Sequence, residues 1–138
     1  MNRSMLFFVL LTNFGFCFAQ EKPEAAWLIH PSKNDGYGIE IWKSESSKTG
    51  FIWRLVKSPN EILAQVDEPR LAKDYSYNQG QCKIDGEWRD DVIVVVKLSE
   101  KREYSSEISK IWVALPEKKQ FSILQFKSAE CRNEGYGI

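Results

Sequence analysis

The chain has 138 residues, with 19 basic and 19 acidic side chains, a length that suits one domain better than two. A formal charge of zero removes the electrostatic case for a nucleic-acid partner or an anionic membrane surface, both of which call for a basic excess. Hydrophobic residues at 43% are too many for a disordered chain, while three cysteines and one histidine are too few for most zinc sites.

Residues 1–19 read MNRSMLFFVLLTNFGFCFA. Arg3 and the terminal amine make a short positive region, Met5 to Leu11 is unbroken apolar sequence, and Cys17 and Ala19 place small residues before Gln20. This is the pattern of a secretory signal peptide. Thr12 and Asn13 interrupt the run, leaving it short of the roughly 20 apolar residues of a membrane anchor. A lipobox ending at Cys17 would want a small residue where Phe16 stands. The expected product starts with a mobile leader, residues 20–24, followed by one domain over residues 25–138. Losing Arg3 gives it a small acidic excess. Its compartment is the periplasm or the outside of the cell, and no membrane contact is expected after cleavage.

Cys82 and Cys131 remain. In an oxidising compartment two cysteines most simply form one disulfide, which in the chain-entropy model contributes about 4 kcal/mol for a loop of roughly 50 residues.

Ala25 to Ile29 can start a first strand, and the His30–Gly36 cluster is a turn. Ile39 and Ile41 alternate with Glu40 and Trp42, the period of a strand. Phe51, Trp53 and Leu55 oppose Ile52, Arg54 and Val56, so an antiparallel hairpin spans the polar loop Ser44 to Gly50. Ser58-Pro59-Asn60-Glu61 reads as a capping-box helix start. Ile62, Leu63 and Val66 then follow at helical spacing, and a short helix is favoured there over a strand.

Asp85-Gly86 is a two-residue hairpin signal between Gln81–Ile84 and Glu87–Arg89. The run from Val92 to Val96 is apolar on both faces and should be a central strand covered on both sides. Ile108, Ile111, Trp112 and Leu115 fall on one helical face, and that helix is expected to pack across the sheet. Phe121 to Phe126 reads as a last strand, with a bulge where the apolar face shifts at Leu124. The fold expected is α+β: an antiparallel sheet of about five strands, one or two short helices and one disulfide.

An internal echo links Asn34-Asp35-Gly36-Tyr37-Gly38-Ile39 to Asn133-Glu134-Gly135-Tyr136-Gly137-Ile138, with a third Asn-x-Gly at Asn78-Gln79-Gly80. Asx-turn chemistry with glycine at positive φ accounts for it. A pair of tyrosine-bearing contact loops is the functional alternative.

Catalytic material is scarce. His30 is the only histidine and no Gly-x-Ser-x-Gly occurs, so a serine triad has nothing to stand on. Neither a metal-ligand spacing nor a phosphate loop is present, and no cofactor is expected. Asp85, Glu87, Asp90 and Asp91 cluster around the hairpin. Paired carboxylates can hydrolyse glycosides, yet turn carboxylates mostly cap turns or pair with cations such as Arg89 or Arg132.

Aromatics are the stronger lead. Core positions can absorb Trp53 and Trp112, but a domain this small cannot easily bury Trp27, Trp42, Trp88, Tyr37, Tyr75, Tyr77, Tyr104 and Tyr136 as well, and covering the outer face of a thin sheet is the plain structural reading of those left over. Exposed Trp and Tyr anchor protein interfaces and stack on sugars. The candidate binding residues are Tyr37, Trp42, Trp88 and Tyr136. The reading is a non-enzymatic binding protein for a protein partner, of inhibitor or immunity type. A cell-wall glycan-binding module is the alternative, and a small hydrolase using Asp90 and Asp91 ranks third. Oligomeric state is open.

The run Cys82-x5-Trp88-x-Asp90-Asp91-x-Ile93-Val94-Val95-Val96, with Ala114, Phe121 and the ending Cys131-Arg132-Asn133-Glu134-Gly135-Tyr136-Gly137, resembles small exported proteins of proteobacteria that carry no assigned activity. The resemblance covers the chain from Cys82 onward. It implies a periplasmic domain with the Cys82–Cys131 bridge and transfers no catalytic residue. The Ser-Gly-x-x-Tyr loop of periplasmic lysozyme inhibitors is absent.

Overall fold

The computed structural model describes residues 21–29, 36–79 and 81–137. Residues 1–19 of the expected signal peptide, Gln20, residues 30–35 of the expected turn, Gly80 and Ile138 lie outside the described residues.

Chain order begins with a four-stranded antiparallel meander: β1 (Ala25–Ile29), β2 (Tyr37–Lys43), β3 (Phe51–Lys57) and β4 (Glu61–Asp67). The β2–β3 hairpin over the serine-rich loop is present as expected, with Ile41 opposite Trp53 and Ile39 opposite Leu55. The central sheet follows, in the order β11-β10-β8-β5: β5 (Tyr75–Gln79), β8 (Val92–Lys97), β10 (Ile108–Leu115) and β11 (Gln120–Ile123). A third sheet, in the order β7-β6-β12-β9, is built from β6 (Cys82–Ile84), β7 (Glu87–Arg89), β9 (Tyr104–Ser105) and β12 (Ala129–Arg132).

Side-chain alternation stacks these sheets into three layers. Val92, Val94 and Val96 of β8 join Ile111 and Val113 in a core shared with Cys82, Ile84, Ala129 and Cys131 of the third sheet. The opposite face of β8 and β10 supplies Ile93 and Ala114 to a second core with Ile39, Ile41, Trp53 and Leu55 of the meander. The valine strand is therefore central and covered on both sides, as its composition demands. Trp53, fully buried, meets Tyr77, Trp112 and Phe121 edge-on, with centroids 5.1, 5.9 and 6.1 Å away.

The α+β expectation is overturned. Among the described residues the molecule is all-β, with three small sheets in place of one, and a single 3-10 turn at Pro116–Lys118. Both expected helices are strands, for one shared reason. In β10 the register slips between Ile108 and Lys110, opposite Val96 and Val95, so Ser109 is an extra residue, a β-bulge. The slip returns Ile108 to the face of Ile111, Val113 and Leu115. The resulting spacing of three, then two and two, imitates a helical stripe. In β4 the slip opposite Leu55 and Val56 leaves Leu63 extra between Ile62 and Ala64. Leu63, Ala64 and Val66 then all lie against the core, which again reads as helical spacing. What covers the second face of the valine strand is a sheet, not a helix.

The bulge expected near Leu124 is a strand end instead. Phe121 packs on the meander side, and the chain leaves β11 after Ile123 to place Leu124 and Phe126 in the other core.

Candidate functional site

The Asp85-Gly86 hairpin forms as its chemistry requires, with φ of 49° and 93° at the two turn residues. Asp85 Oδ1 accepts the backbone N–H groups of Lys127 and Ser128, each at 2.8 Å. Those two bonds, Ser128 first, hold the Asp85 carboxyl below its ordinary range and fasten the hairpin to the approach of β12. The Cys82–Cys131 disulfide joins directly opposed residues of β6 and β12, with Cα atoms 4.1 Å apart, and both cysteines are fully buried.

Because Cys82, Ile84, Ala129 and Cys131 point into the core, their strand neighbours point out. One cross-strand row reads Trp88, Lys83, Glu130, and the next places Arg132 opposite Tyr104. Trp88 on the edge strand β7 is 64% exposed, and Tyr104 on the other edge strand, β9, is 42% exposed. Three strand spacings separate these edges, about 14 Å. Arg132 also shares a shallow hollow of about 320 Å³ with Gln81, Glu134 and Tyr136, and Tyr136 is 52% exposed. The outer face of the third sheet thus displays Trp88 and Tyr104 around Lys83, Glu130 and Arg132, with Tyr136 beside Arg132 in the turn that follows β12, on a base clamped by the disulfide.

The four aromatic candidates do not form one site. Trp88 and Tyr136 belong to this face. Trp42 lies on the outer face of the meander, at the far side of the stack, with its bonding already used. Its indole N–H donates to Glu40 at 2.6 Å, and the Arg54 guanidinium sits 4.8 Å from its ring centre. Tyr37 starts β2, half-buried, with the Lys57 ammonium 5.9 Å from its ring. It lines a separate hollow with Ile29, Ala114, Leu115 and Pro116. The pairing of tyrosine loops is therefore not seen in the described part: Tyr37 and Tyr136 belong to opposite outer layers. The residue overlooked in choosing candidates is Tyr104. Its signal was weak, because the two-residue strand β9 is too short to show a period.

Two carboxylates of the hairpin cluster are occupied structurally. Asp91 takes the Arg89 guanidinium in a two-pronged pair at 2.7 and 2.5 Å, an arrangement that strengthens each bond and raises the Arg89 pKa. Asp85 is held as described. The Asp90 carbonyl receives the Trp27 indole N–H at 2.8 Å, linking β1 to the corner before β8. Among the described residues no three His, Cys, Asp or Glu side chains are grouped to hold a metal ion, and no helix is long and apolar enough to cross a membrane.

The glycine-bearing turn at Asn133 is an Asx-turn, with Gly135 N–H donating to Asn133 Oδ1 at 3.0 Å, and Gly137 takes φ 77°. The Asn133 amide also donates to the Arg102 carbonyl at 2.8 Å and to the Ser99 carbonyl. Asn78 is no turn residue. Buried in β5, it donates to the Arg132 carbonyl at 2.7 Å and so joins the central sheet to the third one.

Comparison with protein-family models, curated protein sequences and solved structures finds no match to this chain, so the geometry alone carries the functional argument.

Proposed function

We propose that this is an exported, non-enzymatic binding protein that engages a protein partner, as an inhibitor or immunity factor, through the outer face of the third sheet. One observation carries the reading: Trp88 is a large indole left 64% exposed on a sheet whose β6 and β12 strands are joined by a disulfide. Interface anchors are enriched in Trp, Tyr and Arg, and Trp88, Tyr104, Tyr136 and Arg132 supply all three types on one face. Anchors on regular strands with a covalent brace lose little entropy on binding. The site works in the periplasm or outside the cell, where the disulfide persists.

The test begins with the oxidised protein immobilised and exposed to exported proteins of its host. A partner retained at one-to-one stoichiometry is purified, and its affinity is measured against three variants. Trp88→Ala and Tyr104→Ala are expected to weaken binding at least tenfold, and Trp42→Ala to leave it within twofold. Equal loss in all three, or loss in Trp42→Ala alone, overturns the assignment of the face. Co-sedimentation with peptidoglycan that is abolished by Trp88→Ala, with no protein retained, would replace the protein partner by a glycan.

A further inference from the structure

A third hollow, of about 270 Å³, lies under the crossover that leads from β4 to β5. Its floor and walls are aromatic and aliphatic: Tyr75 and Tyr77 of β5, Trp112 of β10, and Leu71 of the crossover. Arg70 and Lys110 stand at its edge, both exposed, and no Asp or Glu lines it. Among the described residues neither cation is ion-paired; Lys110 instead lies 5.8 Å from the centre of the Trp112 ring. Glu68, beside this segment, directs its carboxylate to the Trp53 indole at 3.0 Å and is no part of the wall. The Trp112 indole N–H is buried and has no acceptor.

Ligand sites are apolar clefts with a few polar groups that fix orientation. Here the apolar part is aromatic and aliphatic, the Tyr75, Tyr77 and Ser109 hydroxyls add neutral polar groups, and the only charged side chains of the lining are cations, although the Glu68 charge acts on Tyr77 from outside it. We propose that this hollow binds a small organic anion with a flat apolar body, of the aryl carboxylate class. The ring lies between Tyr75, Tyr77 and Trp112, and the carboxylate meets Arg70 and Lys110. Arg supplies a planar fork matched to a carboxylate, and Lys a point charge. The hollow is separate from the aromatic face of the third sheet, so its ligand is independent of the protein partner proposed above.

Phenylacetate and its uncharged counterpart phenylacetamide are titrated into the oxidised protein, with the indole N–H signal of Trp112 followed by NMR. The expected result is a saturable shift with phenylacetate and at least tenfold weaker binding of the amide. Arg70→Gln/Lys110→Gln should lower phenylacetate affinity at least tenfold, and Trp88→Ala should leave it unchanged. No saturable shift with either probe overturns the proposal. So does equal binding of acid and amide, a comparison made on the unmodified protein that does not depend on any variant folding.

Discussion

Trp53 donates its indole N–H to Glu68 Oε2 at 3.0 Å, tying a fully buried aromatic to a half-buried carboxylate that no cation faces in a described ion pair. Desolvation, only partly opposed by that hydrogen bond, pushes the Glu68 pKa above its ordinary value. The folded state therefore holds the Glu68 proton more tightly than the unfolded state. Between the ordinary and the raised value, stability falls as pH rises. Glu68→Gln keeps an acceptor for Trp53 and removes this proton. The variant should gain on the parent as pH rises from the ordinary glutamate range to neutrality, as read from urea midpoints at the two pH values. A difference between the proteins that is constant with pH would contradict the linkage.

Removal of the bridge between Cys82 and Cys131, which are 49 residues apart, should cost about 4 kcal/mol by loop entropy. The double variant Cys82→Ala/Cys131→Ala is expected to unfold at lower urea with the spectrum of the folded state retained below the midpoint. Because β6 and β12 also carry the proposed aromatic face, partner affinity should fall along with stability. An unchanged midpoint would show that the bridge constrains nothing that folding does not already constrain.

Asn133 is buried, and its side chain serves Gly135, Arg102 and Ser99 at once. Asn133→Ala leaves the two carbonyls and the Gly135 N–H without this partner, a loss of about 2 kcal/mol when groups remain desolvated. Amide exchange at Gly135 is expected to accelerate together with exchange across residues 99–103. Exchange confined to residues 134–137 would show that the Asn133 side chain does not hold the second loop.

Two tryptophans should separate structural from surface roles. Trp53→Ala empties the centre of an aromatic cluster and should cost on the order of 3–5 kcal/mol. Trp88→Ala touches a side chain that is mostly in water and should stay within about 0.5 kcal/mol, measured by denaturant titration of both variants. A large loss in Trp88→Ala would make that indole a structural prop and remove the main support for the binding face.

Local chemistry alone determined much of this protein. The Asp85-Gly86 turn follows from two residues that accept positive φ. The serine-loop hairpin follows from alternation over β2 and β3, and the place of β8 follows from an apolar run too uniform for any exposed strand. Two cysteines outside the expected signal peptide left one simple pairing, Cys82 with Cys131, which the structure contains. Only the tertiary structure decided between helix and strand at residues 61–67 and 108–115. Leu63 and Ser109 are extra residues whose effect exists solely in the pairing with β3 and β8. Each shifts the apolar parity by one, and a shifted period of two cannot be told from a helical stripe within eight residues. The same limit applies to the surface. Which of Trp42, Trp88, Tyr37 and Tyr136 share a face depends on which sheet each strand joins, and strand pairing is a long-range choice that no local spacing encodes.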